Sequence, residues 1–286
     1  MAEVETQNNL DFERKHEEDL RRIRDFRLMD DNFMSKVFED KPCAEFLLRI
    51  ILNRDDLKVK EVHGQHDLNN IQGRSVRLDI LAVDHENRAY NVEVQRSDSG
   101  AVAKRARYNS SLLDANLTRK GDAYDALNET YVIFITENDV LRGGLPIYHI
   151  NRIIEEMGKS FGDEAHIIYV NSQIKDDTAL GKLMHDFTCT NPDDMNYPVL
   201  AQRVRYFKED TKGVATMCRA FEEWQEECIQ KGVQQGIQTG ITQGEIIGTL
   251  KTYKKCSFSK EDTLKNIITD FSLSEEDARN YMEKYW

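Results

Sequence analysis

Hydrophobic positions recur with two different periods in the first hundred residues of the chain. From Asp31 the apolar residues have helical spacing, and Pro42 opens a second stretch with the same spacing. Residues 57–66, 75–83 and 89–96 instead alternate between apolar and polar side chains, which is typical of strands. We therefore expect two short helices and then three strands, the last two of which form an antiparallel hairpin.

A helix and two buried strands are predicted after this hairpin. Residues 101–117 carry Ala, Leu and Tyr at helical spacing, after a break at residues 97–100. Residues 131–136 and 165–170 are short continuous apolar runs, typical of strands that are covered on both faces. From about residue 174 the pattern is helical to the end. This order predicts an α/β fold with a mixed β-sheet core flanked by helices, followed by an all-helical C-terminal tail.

Glycine occupies every fourth position in one part of the tail. The repeat consists of Gly232, Gly236, Gly240, Gly244 and Gly248. On a helix these glycines would form a stripe of small residues beside an apolar stripe, which suits close packing against another helix. Each glycine costs about 1 kcal/mol relative to alanine in a helix, so a flexible linker is the alternative. Further on, Ser259 and Ser274 are candidate helix N-caps, each followed by acidic residues.

These patterns divide the chain into four segments. Residues 1–30 are dense in charge and are expected to form an arm or a solvated helix. Residues 31–210 form the predicted α/β domain. Residues 211–256 form the helical segment with the glycine repeat, and residues 257–286 form a small helical module.

The composition is that of a folded protein with an acidic surface. The chain is 40% hydrophobic and 31% charged, which excludes a disordered chain. Its net charge of −12 argues against a general nucleic-acid coating protein, because phosphate binding depends on Lys and Arg. Residues 96–120 are the exception, since six bases and two acids give this stretch a net charge of +4. Its bases are Arg96, Lys104, Arg105, Arg107, Arg119 and Lys120.

The sequence favours a cytoplasmic protein with reduced thiols. No apolar run approaches the roughly 20 residues of a membrane-spanning helix, and the first forty residues show no secretory pattern. The five cysteines form no C-x-x-C pair. His63 and His66 fall in a predicted strand, where period-two geometry would point them to opposite faces, so we expect no shared zinc.

Candidate chemistry appears in the predicted hairpin. If its loop is centred on Glu86, Asp79 lies directly opposite Glu93, and Gln95 shares their face. Two like charges in opposite positions cost about 0.2 to 1 kcal/mol and therefore need a compensating charge. Mg²⁺ prefers carboxylate oxygens and water, so a cation held by Asp79 and Glu93 would supply that charge. The alternative is that both acids form ordinary salt bridges with Arg77 and Arg74 on the surface of the sheet.

Several motifs resemble those of a known family. They are LDILAV at residues 78–83, YNVEVQR at 90–96, KRARYNSSLLD at 104–114, YVIFITEND at 131–139, GLPIYH at 144–149 and GKLMHD at 181–186. Together they resemble the PD-(D/E)XK nuclease family transposases, also called the Rpn family of recombination-promoting nucleases. The resemblance covers roughly residues 30–210, and the glycine repeat of the tail is also similar to members of this group.

The resemblance implies a restriction-endonuclease-like fold and a role for individual residues. Asp79 and Glu93 would bind the metal, and Gln95 occupies the position of the superfamily lysine, as is usual in this family. A further acid of the first core helix would complete the site. We assign Glu45 to this role, with Asp31 as the competing choice.

The resemblance also implies a substrate and a cofactor. The enzyme would hydrolyse phosphodiester bonds of DNA with Mg²⁺, for which Mn²⁺ is a plausible substitute. The helix after the hairpin would bind DNA through the four residues Lys104, Arg105, Arg107 and Tyr108.

Two other functions remain open at the level of sequence. The missing lysine and the acidic surface suit a DNA-binding or regulatory protein that keeps the fold but has lost turnover. The glycine repeat suits an assembly protein, and we expect a homo-oligomer, a dimer in the simplest case, formed through residues 230–250.

Overall fold

The computed structural model of the protein describes residues 17–70 and 73–286. Residues 17–25 are helical and are designated α1. The predicted N-terminal arm at residues 1–30 therefore lies partly outside the described residues. The helices that follow are α2 (Asp31–Phe38), α3 (Lys41–Leu52), α4 (Ala103–Leu117), α5 (Ala179–Thr188), α6 (Pro198–Glu209), α7 (Thr211–Lys255), α8 (Lys260–Phe271) and α9 (Glu275–Tyr285). The strands are β1 (Val59–Leu68), β2 (Val76–Asp84), β3 (Ala89–Gln95), β4 (Thr130–Thr136), β5 (Ile147–Ile150), β6 (Ile153–Ile154), β7 (Lys159–Ser160) and β8 (Ala165–Asn171).

Local sequence signals explain where α3 begins and ends. The side chain of Asp40 accepts a hydrogen bond from the Cys43 amide, and Pro42 lies in the first turn, where its missing N–H costs nothing. Asn53 adopts the left-handed conformation and ends the helix. Two short helices before the first strand, as the sequence predicts, are therefore confirmed.

The main sheet has six strands in the order β1-β2-β3-β4-β8-β5. The pairs β1–β2, β2–β3 and β5–β8 are antiparallel, whereas β3–β4 and β4–β8 are parallel. Helix α4 connects β3 to its parallel neighbour β4, as parallel pairing requires. The prediction of a mixed sheet flanked by helices, with a helical C-terminal region, is confirmed.

The centre of the sheet is strand β4. Val132, Ile133, Phe134 and Ile135 are fully buried, so this strand is covered on both faces. Phe134 stacks on Tyr169 of β8 at a centroid separation of 5.4 Å, in a core cluster that also includes residues of α4. The continuous apolar run of the sequence therefore indicates the correct position for β4.

Strands β5, β6 and β7 are not predicted by the sequence pattern. β5 is a four-residue edge strand that pairs only with β8, and the hairpin of β6 and β7 has two residues in each strand. Such short, half-exposed strands carry too few alternating positions to give a periodic signal.

A buried lysine fixes the segment that leads into α2. Nζ of Lys208, on α6, donates hydrogen bonds to the main-chain carbonyls of Arg24, Phe26 and Thr190 at 2.5–2.7 Å. Burial lowers the pKa of Lys208 to about 8. The segment that precedes α2 is thus held to α6 by these hydrogen bonds.

The chain divides into two compact units, residues 1–218 and 219–286. The second unit contains the C-terminal part of α7 together with α8 and α9. Its core consists of Ile246, Leu250, Ile267 and Ala278 with partly buried aromatic residues around them. Ser259 and Ser274 accept hydrogen bonds from the amides of Asp262 and Asp277, which confirms both predicted N-caps.

The glycine repeat lies within the continuous helix α7. A Cβ atom built on any of its five glycines would meet nothing within 4 Å. Beside it, four large apolar residues are 50–65% exposed. They are Ile229, Val233, Ile237 and Ile241. Within residues 17–70 and 73–286, no helix is both long and apolar enough to cross a membrane.

Candidate active site

The pairing of β2 and β3 stops where the predicted acid pair begins. Ile80 pairs with Val92, and the residue numbers of all four recorded pairs sum to 172, which confirms the register predicted from the sequence. Beyond this point the carboxylate of Asp79 accepts a hydrogen bond from the Val94 amide at 2.9 Å. The Asp79 side chain therefore satisfies the Val94 amide, which would otherwise need a main-chain partner on the neighbouring strand. This hydrogen bond also holds the Asp79 carboxylate next to β3.

Glu93 is fully buried on the face of β3 that packs against α4. Its Oε2 accepts a hydrogen bond from Nη2 of Arg105 at 2.9 Å. Its Oε1 is buried and has no hydrogen-bond partner within the described part of the chain. A buried carboxylate oxygen without a partner is energetically costly, so this atom marks a position for a further positively charged or donating group.

Burial and neighbouring charges shift the protonation of both acids. Burial raises the pKa of Asp79, the Val94 amide lowers it, and the negative charge of Asp31 raises it. Burial and the charge of Asp79 raise the pKa of Glu93, whereas Arg105 lowers it. The net direction is upward for both groups, because one guanidinium does not offset the desolvation of two carboxylates. The pair is therefore short of positive charge.

Arg105 connects the acid pair to the predicted phosphate-binding helix. Besides Glu93, its guanidinium donates to Oε1 of Gln95 at 3.2 Å and to the carbonyl of Gly100 at 2.8 Å. A Cβ atom at position 100 would collide with Oε1 of Gln95, so only glycine allows Gln95 to approach this turn. From the sequence, Arg105 is expected to bind DNA. The structure gives it a second role as the charge partner of Glu93.

The structure separates the two candidates for the third acid. Glu45 accepts a hydrogen bond from the Val59 amide at 3.0 Å and forms ion pairs with Lys58 and Arg49. Because Val59 pairs with Asp84, Glu45 lies five residues along β2 from Asp79, which corresponds to about 17 Å. The structure therefore does not bring Glu45 to the acid pair.

Asp31 is the acid that the structure brings near Asp79. It begins α2, and its charge raises the pKa of Asp79. Its neighbour Asn32 accepts a hydrogen bond from Gln65 at 2.9 Å. Gln65 lies between the two β1 residues that pair with Ile80 and Leu78, so it is level with Asp79. We therefore replace Glu45 with Asp31 as the candidate third acid.

The other residues predicted to bind DNA occupy different positions on α4. Lys104 and Arg107 are exposed. Tyr108 is half-buried; its hydroxyl donates to the carbonyl of Arg74 and accepts from Asn70 at 2.9 Å. Tyr108 therefore holds α4 against the segment that leads into β2.

Two buried amides near the acid pair are missed by sequence reasoning. Asn91 lies two residues before Glu93 on the same face of β3, and Asn109 follows Arg105 by one turn of α4. Both side chains are fully buried. Asn91 lies close enough to the Glu93 carboxylate to lower its pKa, although no hydrogen bond of ordinary geometry joins them. Asn109 has no hydrogen-bond partner among the described residues. The signal in the sequence is their spacing, since Asn91 lies two residues before Glu93 and Asn109 lies four residues after Arg105.

The expectation that His63 and His66 point to opposite faces is wrong. Their ring centroids lie 5.5 Å apart. The reason is Gln65, whose φ of 50° is left-handed and interrupts the alternation of side chains along β1.

A second cluster of candidate ligands lies at the end of α5. Atoms of His185, Asp186 and Cys189 lie within 4.8 Å of one another. Asp186, however, accepts hydrogen bonds from the amides of Asn196 and Tyr197 at 2.7 and 2.9 Å. Burial raises the pKa of the Cys189 thiol to about 11. We therefore interpret this cluster as a structural connection between α5 and the following loop.

The acid pair has the properties of a divalent cation site. Asp79 and Glu93 supply hard oxygen ligands, the Oε1 atom of Glu93 lacks a partner among the described residues, and the pair is short of positive charge. A mixed six-stranded sheet flanked by helices, with these two acids on adjoining strands beside a basic helix, is consistent with a fold of the restriction-endonuclease type.

Comparison with protein families identifies the group. The family described as "PD-(D/E)XK nuclease family transposase" matches residues 37–178, and through these residues the chain belongs to that family. The matched range contains Asp79, Glu93, Gln95 and Arg105, whereas Asp31 precedes it. No curated protein and no solved structure matches the chain significantly. Family membership supports a nuclease function linked to mobile elements.

Replacing one acid of the pair is expected to stabilise the metal-free protein at high pH. The raised pKa values mean that the folded protein keeps protons that the unfolded chain loses above about pH 4. Wild-type stability therefore falls as the pH rises through the raised values. Asp79→Asn removes this loss and still accepts from Val94.

In thermal unfolding with chelator, we expect Asp79→Asn to exceed the wild type by at least about 1 kcal/mol at pH 8 and to approach it near pH 4. Glu61→Gln, which alters an exposed acid of β1, serves as the control. A difference between Asp79→Asn and wild type that does not grow with pH would contradict the burial of a charge-deficient pair.

Proposed function

We propose that this protein is a metal-dependent DNA endonuclease that hydrolyses phosphodiester bonds, with Mg²⁺ as its cation and Mn²⁺ as a substitute. The observation that carries the proposal is the pair of carboxylates formed by half-buried Asp79 and fully buried Glu93, in which Oε1 of Glu93 lacks a hydrogen-bond partner among the described residues. Membership of the PD-(D/E)XK nuclease transposase family supports it independently. We further assign the activity to DNA recombination at mobile elements, in line with the transposase description of the family.

Asp79 and Glu93 would hold the cation, and Asp31 would add a carboxylate from α2. When bound, a divalent cation lowers the pKa of a coordinated water and polarises a phosphoryl oxygen. Gln95, held by Arg105, would orient the attacking water by accepting or donating a hydrogen bond. The water oxygen bonds to phosphorus, one P–O ester bond breaks, and the proton lost by the water ends on the departing oxygen. Lys104 and Arg107 are exposed on α4 and would bind flanking phosphates.

Removal of either paired acid is expected to abolish cleavage. We predict that purified protein cuts plasmid DNA with Mg²⁺ or Mn²⁺ and not with chelator. Asp79→Asn and Glu93→Gln should each lower the rate by about a hundredfold or more, whereas Glu61→Gln should leave it unchanged.

Cleavage that persists with chelator, or that survives both substitutions, would contradict the proposal. The competing function is a DNA-binding protein without turnover, which the glutamine at position 95 favours. Calorimetry separates the two functions. Mg²⁺ binding that is lost in Glu93→Gln supports a nuclease. DNA binding that does not depend on metal, together with the absence of cleavage, supports a DNA-binding protein without turnover.

The third acid gives a separate prediction. Asp31→Asn should lower the cleavage rate by about tenfold or more, because it removes a negative charge near Asp79. Glu45→Gln should leave the rate within about twofold, because its partners are Val59, Lys58 and Arg49. Both rates are measured on one plasmid substrate at saturating Mg²⁺. The reverse order of effects would restore Glu45 as the third acid.

We also propose that α7 pairs with α7 of a second copy. The exposed Ile and Val residues form a ridge along every fourth position, and the adjoining glycines form a groove with the same period. A ridge of one copy fits the groove of the other when the helices cross at roughly 50°. Dimerisation would bring two active sites to one DNA duplex and would allow both strands to be cut.

A charge within the ridge should dissociate this dimer. Ile237→Lys is expected to halve the mass measured by light scattering, because it would bury an unpaired ammonium group. The control is Thr239→Lys, which adds the same charge about 200° around the helix and should leave the mass unchanged. A monomeric wild type, or an Ile237→Lys variant with the wild-type mass, would exclude this interface.

A further inference from the structure

A cavity adjoins the acid pair on the side of α4. Its volume is about 680 Å³, and it lies between α4 and the segment that leads into β2. Arg105 lines it and also binds Glu93, so the cavity and the acids share one side chain. The hydrogen bond from Tyr108 to the Arg74 carbonyl joins the two walls.

The lining of the cavity is positively charged. Four bases contribute to it, and none of the residues that line it is acidic. The bases are Arg74, Arg77, Lys104 and Arg105. Arg105 pairs with Glu93 and Arg77 with Asp67, so the positive charge that favours an anionic ligand comes mainly from Arg74 and Lys104.

The size and the apolar surface of the cavity indicate more than a phosphate. Val76, Val102 and the ring of Tyr108 form part of the wall. A phosphate group needs no apolar wall, whereas the flat face of a nucleobase does. The volume also falls within the range of about 300–1,000 Å³ that is typical of sites for small organic ligands.

A buried amide lines the same cavity. Asn109 is fully buried, and neither its nitrogen nor its oxygen has a hydrogen-bond partner among the described residues. Leaving such a group unpaired costs about 1 to 3 kcal/mol. Because the amide of Asn109 is fully buried, it lies behind the wall of the cavity and supports that wall, and the groups that contact a ligand are the charged and apolar side chains of the lining.

We propose that this cavity binds one unpaired nucleotide next to the scissile phosphate. Its nucleobase would lie against Val76 and Val102, and its phosphate would contact the Arg and Lys side chains of the rim. A paired base cannot enter unless it leaves the duplex, which costs a few kcal/mol and costs least when the base is already unpaired. The preferred substrate is then DNA with an unpaired nucleotide beside the cut. This inference rests on the proposed nuclease function and specifies its substrate.

Binding without cleavage tests the cavity directly. Full-length protein with chelator is titrated into two labelled duplexes that differ only in whether a central 2-aminopurine is unpaired or paired. We expect the unpaired form to bind at least about tenfold more tightly, which corresponds to about 1.4 kcal/mol. The emission of the bound 2-aminopurine should differ from that of the free duplex.

Val102→Trp fills the cavity from an exposed position and should remove this preference without weakening the paired duplex. Leu141→Trp, at a comparably exposed position outside the cavity, should keep it; Val102 and Leu141 are 46% and 42% exposed. Equal affinities in the wild type, or a preference that Val102→Trp leaves intact, would overturn the inference.

Cleavage with Mg²⁺ in the same preparation separates this inference from the proposed function. Cutting of both duplexes at equal rates, together with equal affinities, overturns the unpaired-nucleotide site and leaves the nuclease. A preference that Val102→Trp removes, without any cutting, overturns the nuclease and leaves the site.

Discussion

Two neighbouring carboxylates that share a single guanidinium are the interaction on which the candidate site depends. Glu93 is fully buried and Asp79 is half-buried, and the loss of solvation raises the pKa of both groups. The charge of Asp79 raises the pKa of Glu93 further. Arg105 offsets only part of this cost. The fold thus maintains a local shortage of positive charge, which either protons or a cation can relieve. Because proton uptake and cation binding compete for the same oxygens, the affinity for a metal is expected to rise with pH.

The acid pair lies where the main-chain pairing of β2 and β3 ends. This pairing stops at Ile80 and Val92, and beyond it the side chain of Asp79 accepts a hydrogen bond from the Val94 amide. Its carboxylate is therefore held rigidly at low cost to the backbone. Arg105 then joins the acids, Gln95 and the turn at Gly100 to α4. The same helix carries the exposed Lys104 and Arg107 and one wall of the adjoining cavity, so the basic surface, the cavity and the acid pair are connected through a single element.

Much of the site could be predicted because its determinants are local. The hairpin register follows from the polar turn and the period of two, and it holds up to Ile80 and Val92, the residues next to the two acids. The third acid could not be predicted in this way. Glu45 and Asp31 both lie on helices before β1, and only the packing of α2 shows which one lies near Asp79. The expectation for His63 and His66 fails because a single left-handed residue, Gln65, changes the face of everything after it.

The sequence by itself determined the order of the main elements, the burial of β4 on both faces, the register of the hairpin up to Ile80 and Val92, the helical tail and the family. These features depend on the periodicity of apolar residues and on neighbours within one hairpin, both of which are local in the sequence. Only the tertiary structure decided that Arg105 pairs with Glu93, that Asp31 rather than Glu45 lies near Asp79, and that Asn109 lines a basic cavity. Each of these depends on the distance between elements that are far apart in sequence, and such distances are set by how helices pack on the sheet.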